Sequence, residues 1–263
     1  MPDYLTANRA YWNTLAEQHF DSEFYNNNAF LSTQNSLNEI ELALLGNDLS
    51  GQRVLHLQCH FGQDTLSLAR LGAEVTGIDL SDVAIAKAYE LAKRTGLKAR
   101  FLESDVQRID EVLGDEQFDL IFSSYGTIGW LPKVDRWAQL IAQYLSPGGR
   151  FVFAEFHPVV WMMAEDFTHV KYPYFNREVI YEEPIESYGG AQVGAGQGNY
   201  SWNHDLGEVL GALLDAGLQL THFSEYDYSP YDCFPGTVKS DKGFQIKGLE
   251  GKLPMVYALE ARK

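Results

Sequence analysis

A chain of 263 residues with 45% hydrophobic residues can bury one α/β core with an insertion, and none of its apolar runs reaches the roughly 18 residues of a membrane span. The formal net charge of −16 repels phosphate backbones and no Lys/Arg cluster offsets it, so a nucleic-acid partner is disfavoured. Cys59 and Cys233 have no CxxC partner and the first twenty residues lack a secretory signal pattern, which excludes a disulfide framework and makes a cytoplasmic location the expectation.

Taken in chain order, residues 4–20 read as a helix in which Tyr11, Leu15 and Phe20 share a face alongside Trp12. Asn26-Asn27-Asn28 marks a loop, and residues 37–45 a second helix, so 1–48 is expected to be an N-terminal helical cover. A strand follows at Arg53–Leu57, then a loop containing Gly62, a helix from about Asp64 to Leu71 and a strand at Glu74–Ile78 with Asp79 at its tip. The next helix, Val83–Thr95, has Ser81 or Asp82 as N-cap and Gly96 as C-cap. Strands at Ala99–Leu102 and Phe118–Phe122 end at Ser104-Asp105 and at Ser123-Ser124-Tyr125-Gly126. A helix at Val134–Leu145 leads through Ser146-Pro147-Gly148-Gly149 into the strand Arg150–Glu155.

The alternation then breaks. Residues 157–203 are rich in Tyr, Trp, Pro and Gly, too long for a routine connection, and read as a lid or substrate insertion, with a plain surface hairpin as the alternative. A helix at Asp205–Ala216 and strands at Gln219–Tyr226 and Met255–Ala261 complete a single 1–263 domain. Alternating strands and helices predict a parallel sheet covered on both faces. The stretch from Val54 to Ser81 is the layout that binds nucleoside cofactors: the acid at the second strand's tip can take two ribose hydroxyls, and the first turn offers backbone N–H groups.

With these residues in place, the chain resembles the class I S-adenosylmethionine-dependent methyltransferases. Five landmarks match in order: the loop after VLHL, Asp79, Ser104-Asp105, the FDLIFSSYG block and LSPGGRFVFAEF. The resemblance implies an α/β, doubly wound, seven-stranded, mostly parallel sheet with an antiparallel last strand, and S-adenosyl-L-methionine as cofactor. It also implies methyl transfer to a small-molecule acceptor, without a nucleic-acid or membrane partner; oligomeric state is unread. On this reading Asp79 accepts the ribose hydroxyls and Leu80 lies on the adenine face. Ser104, Asp105 and Val106 surround the adenine edge, Ser123 and Tyr125 the methionine end, and Leu57, Gln58, Cys59, Gly62 and Tyr11 complete the cofactor site. The acceptor pocket is assigned to Trp130, Trp161, Tyr188, Trp202 and His204.

The first loop departs from the family's D-x-G-x-G-x-G pattern, holding His56, Gln58, His60 and Gly62 at those places. Glycine permits φ > 0 and close backbone approach, so Gln58 and His60 must reach that geometry by other means, and Gln58 can offer an amide oxygen where the acid is missing. His56, Cys59 and His60 have ligand types suited to zinc, but they straddle a strand end and a turn and lack a fourth ligand, so no metal is expected. His157, directly after the fifth strand, is the candidate general base; the alternative is a structural histidine before Pro158. Two rival functions stand beside methyl transfer: non-catalytic binding of the same cofactor, and a nicotinamide-dependent oxidoreductase, whose G-x-G-x-x-G spacing is absent.

Overall fold

The computed structural model describes residues 3–32, 35–183, 186–194 and 196–263; the remaining positions of the expected cover and insertion lie outside them. The N-terminal cover contains α1 (Tyr4–His19), α2 (Asn27–Leu31) and α3 (Glu39–Leu45). The core then alternates β1 (Arg53–Leu57), α4 (Gln63–Arg70), β2 (Glu74–Asp79), α5 (Asp82–Thr95), β3 (Arg100–Glu103), α6 (Asp110–Leu113), β4 (Phe118–Ser124), α7 (Val134–Tyr144) and β5 (Leu145–Phe156). After it come α8 (Pro158–Trp161), the pair β6 (Ile180–Glu182) and β7 (Asn199–Ser201), α9 (Leu206–Asp215) and β8 (Gln219–Tyr226). A small hairpin of β9 (Thr237–Lys239) and β10 (Phe244–Ile246) precedes β11 (Val256–Arg262).

The main sheet has the order β3-β2-β1-β4-β5-β11-β8. Strands β1 to β5 pair in parallel, and β11 is antiparallel to both of its neighbours. The chain leaves β1 in one direction for β2 and β3, then crosses back to β4 on its other side. The carboxyl ends of β1 and β4 therefore flank a topological switch point, where open α/β sheets leave a crevice.

Side chains of successive strand residues point to opposite faces, so a sheet covered on both sides needs apolar residues at every position. Val54, Leu120, Phe122 and Val152 pack with Leu45 and Leu68 on one face. Leu55, Leu57, Ile121, Phe151 and Phe153 pack with α7 and α9 on the other. Helix α7 supplies its share from one stripe, Val134, Trp137, Ala138, Ile141 and Tyr144, the i, i+3, i+4 spacing of a single helix face. Each such large apolar side chain stabilises the fold by about 2 kcal/mol when fully buried.

Local signals set several boundaries. Ser81 Oγ accepts from the Ala84 N–H to start α5, and Gly96 ends it in the left-handed region at φ 71°. Leu145, expected as the end of the preceding helix, and residues 146–149, expected as a turn, all belong to β5, where Phe118 pairs with Leu145 but Leu120 pairs with Arg150, so the intervening residues bulge out of register. Gly149 must lack a side chain there, because a Cβ would sit 2.9 Å from the Ser146 carbonyl oxygen. Among the described residues no helix is long and apolar enough to cross a membrane.

Candidate functional site

A cavity of about 1180 Å³ opens over the carboxyl ends of β1, β2, β4 and β5. Helix α1 and parts of the 157–203 segment wall its far side. Asn8 ties these two covers together, its side chain donating to the Tyr200 carbonyl and accepting from the Tyr200 N–H, both at 2.8 Å. Tyr11, Trp12 and Trp130 pack edge to face or tilted between cover and core, and the Trp130 indole donates to the Gly126 carbonyl at 2.7 Å.

The first loop reaches the glycine-type geometry without the glycines. Gln58 and His60 lie in the left-handed region at φ 54° and 48°, followed by Gly62 at 82°. Non-glycine residues hold that conformation at a cost of about 1 kcal/mol or more each. Gly62 cannot be replaced in the same way, because a Cβ there would meet the Phe101 ring at 2.8 Å. The Gln58 amide donates to the Thr127 carbonyl at 2.8 Å, pinning the loop to the turn after β4.

Asp79 ends β2 on the cavity wall. Its carboxylate accepts from the His60 N–H at 2.7 Å and the Ser81 N–H at 2.9 Å, which fixes its plane. Burial outweighs these bonds and pushes its pKa up to about 6. Asp105, also on the wall, caps a short turn by accepting from the Gln107 N–H at 2.9 Å, and burial raises its pKa. Capping employs Oδ1 only, so an acid can both cap a turn and face a ligand.

Of the residues singled out in the sequence, Tyr11, Gln58, Cys59, Gly62, Asp79, Leu80, Asp105, Val106 and Tyr125 line this cavity, as do Trp130, Trp161, Tyr188, Trp202 and His204. Leu57, Ser104, Ser123 and His157 are not on its wall. Leu57 belongs to the core, and Ser104 holds β3 to β2 through its N–H to the Asp79 carbonyl. Ser123 is fully buried and donates to Thr127 Oγ1, so Ser124, one residue on, takes the cavity-facing place.

His157, expected as the general base, stands apart from the cavity wall. Its Nε2 lies 2.9 Å from Glu225 Oε1 and its Nδ1 accepts from the Val159 N–H, starting α8. Both ring nitrogens are engaged by structure, and desolvation lowers its pKa. His56 is likewise packed, bonded to Thr65 Oγ1 at 2.8 Å and pushed down to about 3 by burial. Among the described residues no three His, Cys, Asp or Glu side chains come together to hold a metal ion.

The structure adds acids that sequence inspection passed over. Glu155, at the end of β5, accepts from the backbone N–H groups of Gly126, Thr127 and Ile128 and so shapes the turn carrying Trp130. Glu41, on α3, accepts the Tyr125 hydroxyl at 2.9 Å, and burial pushes its pKa up to about 7, helped by nearby Asp64. Asp64 accepts from Ser36 Oγ at 2.6 Å and Ser124 Oγ at 3.3 Å. A short acid-containing helix such as α3 carries no sign in sequence that it will be buried.

Residues 54–149 match the family model described as a methyltransferase domain. The ubiquinone biosynthesis O-methyltransferase of Nitrosococcus oceani is 33% identical over 45% of this chain and 50% of its own length. The 23S rRNA (uracil(1939)-C(5))-methyltransferase of Nitrosospira multiformis is 38% identical over 26% of this chain and 16% of its own length. The chain thus spans half or less of the length of these curated relatives. A putative S-adenosylmethionine-dependent methyltransferase from Listeria monocytogenes superposes with a TM-score of 0.62 at 20% identity, over 85% of this chain and 95% of that one, a likeness of fold.

Proposed function

We propose that this chain, whose residues 54–149 match a methyltransferase-domain model and whose fold is that of S-adenosylmethionine-dependent methyltransferases, transfers the methyl group of S-adenosylmethionine to a small neutral or cationic acceptor enclosed beneath α1 and the 157–203 segment. The observation that carries the acceptor class is the charge of the cavity wall. Lys171 is its only lysine or arginine among the described residues, against nine aspartates and glutamates. Such a wall repels phosphate groups and stabilises a cation or a hydrogen-bond donor. The rRNA-modifying relative shares only a short segment, which argues for the common cofactor-binding core rather than for its acceptor.

The residues present fit the cofactor by their chemistry. Asp79, accepting backbone N–H groups on both oxygens, keeps further lone pairs for two ribose hydroxyls. Asp105 and the Val106 N–H supply one acceptor and one donor for an adenine edge. When bound, S-adenosylmethionine supplies a methyl group activated by its sulfonium, so the protein's task is to align the acceptor and exclude water. The cover, the aromatic wall and the Asn8 clasp serve the second requirement.

With His157 turned away, Tyr125 and Glu41 are the proton-handling pair we assign. The Tyr125 hydroxyl donates to Glu41, which leaves its own lone pairs free to accept a proton from an acceptor O–H or N–H as it passes one to the carboxylate. Purified protein incubated with methyl-labelled S-adenosylmethionine is expected to label members of a panel of small phenols and amines and to leave total RNA unlabelled. Label in RNA alone contradicts the acceptor class; cofactor binding without label in any acceptor favours a non-catalytic binder.

A further inference from the structure

Two buried polar atoms on the first loop have no hydrogen-bond partner: Gln58 Oε1 and His60 Nε2. Both belong to residues that line the cavity, and both residues are held in the left-handed conformation. Strain and an unmet buried polar atom at the same position are each unfavourable, and their coincidence at two alternate positions is a reason to look for a ligand. Neighbouring groups do not answer them. Gln58 uses its Nε2 on the Thr127 carbonyl, so only its acceptor faces the unmet need. The His60 ring is enclosed by Trp12, His19, Tyr25 and Phe61, with centroids 4.3 to 5.6 Å away. Burial in that box lowers its pKa, which keeps the ring neutral with one N–H to donate.

We propose that this loop grips the aminoacyl arm of the cofactor with side chains instead of bare backbone, Gln58 Oε1 accepting from its ammonium and His60 Nε2–H donating to its carboxylate. The assignment rests on the S-adenosylmethionine reading above. It explains why two positions that would be cheapest as glycine carry long polar side chains: the conformational cost is offset when the ligand meets both orphaned atoms.

The test measures calorimetric affinity for S-adenosylhomocysteine and for 5′-methylthioadenosine, which lacks the aminoacyl arm, together with the melting temperature of the free protein. His60→Phe keeps an aromatic ring, though a larger one, in the box while removing the unpartnered Nε2, and Gln58→Gly relieves the left-handed strain. Each is expected to weaken S-adenosylhomocysteine about tenfold or more, as for loss of a hydrogen bond to a charged group. Each should leave 5′-methylthioadenosine within about twofold, and His60→Phe should raise the free protein's melting temperature. His60→Asn, which tolerates the same backbone conformation, serves as the second variant if His60→Phe does not fold. Equal weakening of both compounds, or weakening of neither, overturns the assignment. Failure of the wild type to bind either compound instead overturns the cofactor reading on which it rests.

Discussion

At the scale of single residues, the site is a set of carboxylates whose burial the fold imposes. Glu41 has its pKa raised to about 7, against about 4.3 in an unfolded chain, so the native state binds the extra proton between those values. Its contribution to stability is therefore fully present below about pH 4 and is lost as pH rises through about 7. Asp79, raised to about 6, acts in the same direction. Thermal denaturation at about pH 5 and pH 8 is expected to show a fall in melting temperature that is smaller by several degrees in Glu41→Gln, which has no charge to bury. A variant with the same pH dependence as wild type would show that Glu41 is not the group being titrated. Asp79 was legible in the sequence because an acid at a strand tip after a strand–loop–helix unit has a defined place. Glu41, Asp64 and Glu155 were not, because their burial comes from α3 and the 126–128 turn folding over them, contacts with no local pattern.

Among the elements, the core strands and helices were readable because short continuous apolar runs and the Ser81 and Gly96 caps each carry a local physical signal. Strand β5 begins earlier than its sequence suggests, since Leu145 pairs with Phe118 across a bulge. The short pairs β6–β7 and β9–β10 were not readable. Three-residue strands among prolines and glycines take their conformation from tertiary contacts. The same holds for the turn of His157, where a sequence position after β5 suggested the ligand side and Glu225 on β8 holds the ring elsewhere. The clasp between cover and insertion is a property of α1 and β7 together. Asn8→Ala removes both bonds to Tyr200, and hydrogen exchange is expected to speed up in residues 4–19 and 199–201 while the β1–β4 core stays protected. Unchanged exchange in both segments would mean that aromatic packing alone closes the cavity.

For the whole molecule, the sheet order places the crevice, and on the proposed reading the charge selects what enters it. A net charge of −16 and an acidic cavity wall act together, the first at long range and the second at contact. The cover walls the far side of the cavity, and on the proposed reading its task is to keep water from the reacting methyl group. On the proposed reading Asp79, at the end of β2 on the wall of the switch-point crevice, anchors S-adenosylmethionine. Isothermal titration of S-adenosylhomocysteine into wild type and Asp79→Ala tests it most directly. Saturable one-to-one binding by wild type is predicted, weakened about a hundredfold or more in the variant through loss of two charge-assisted hydrogen bonds. No binding by folded wild-type protein, or equal binding by both, would contradict the account.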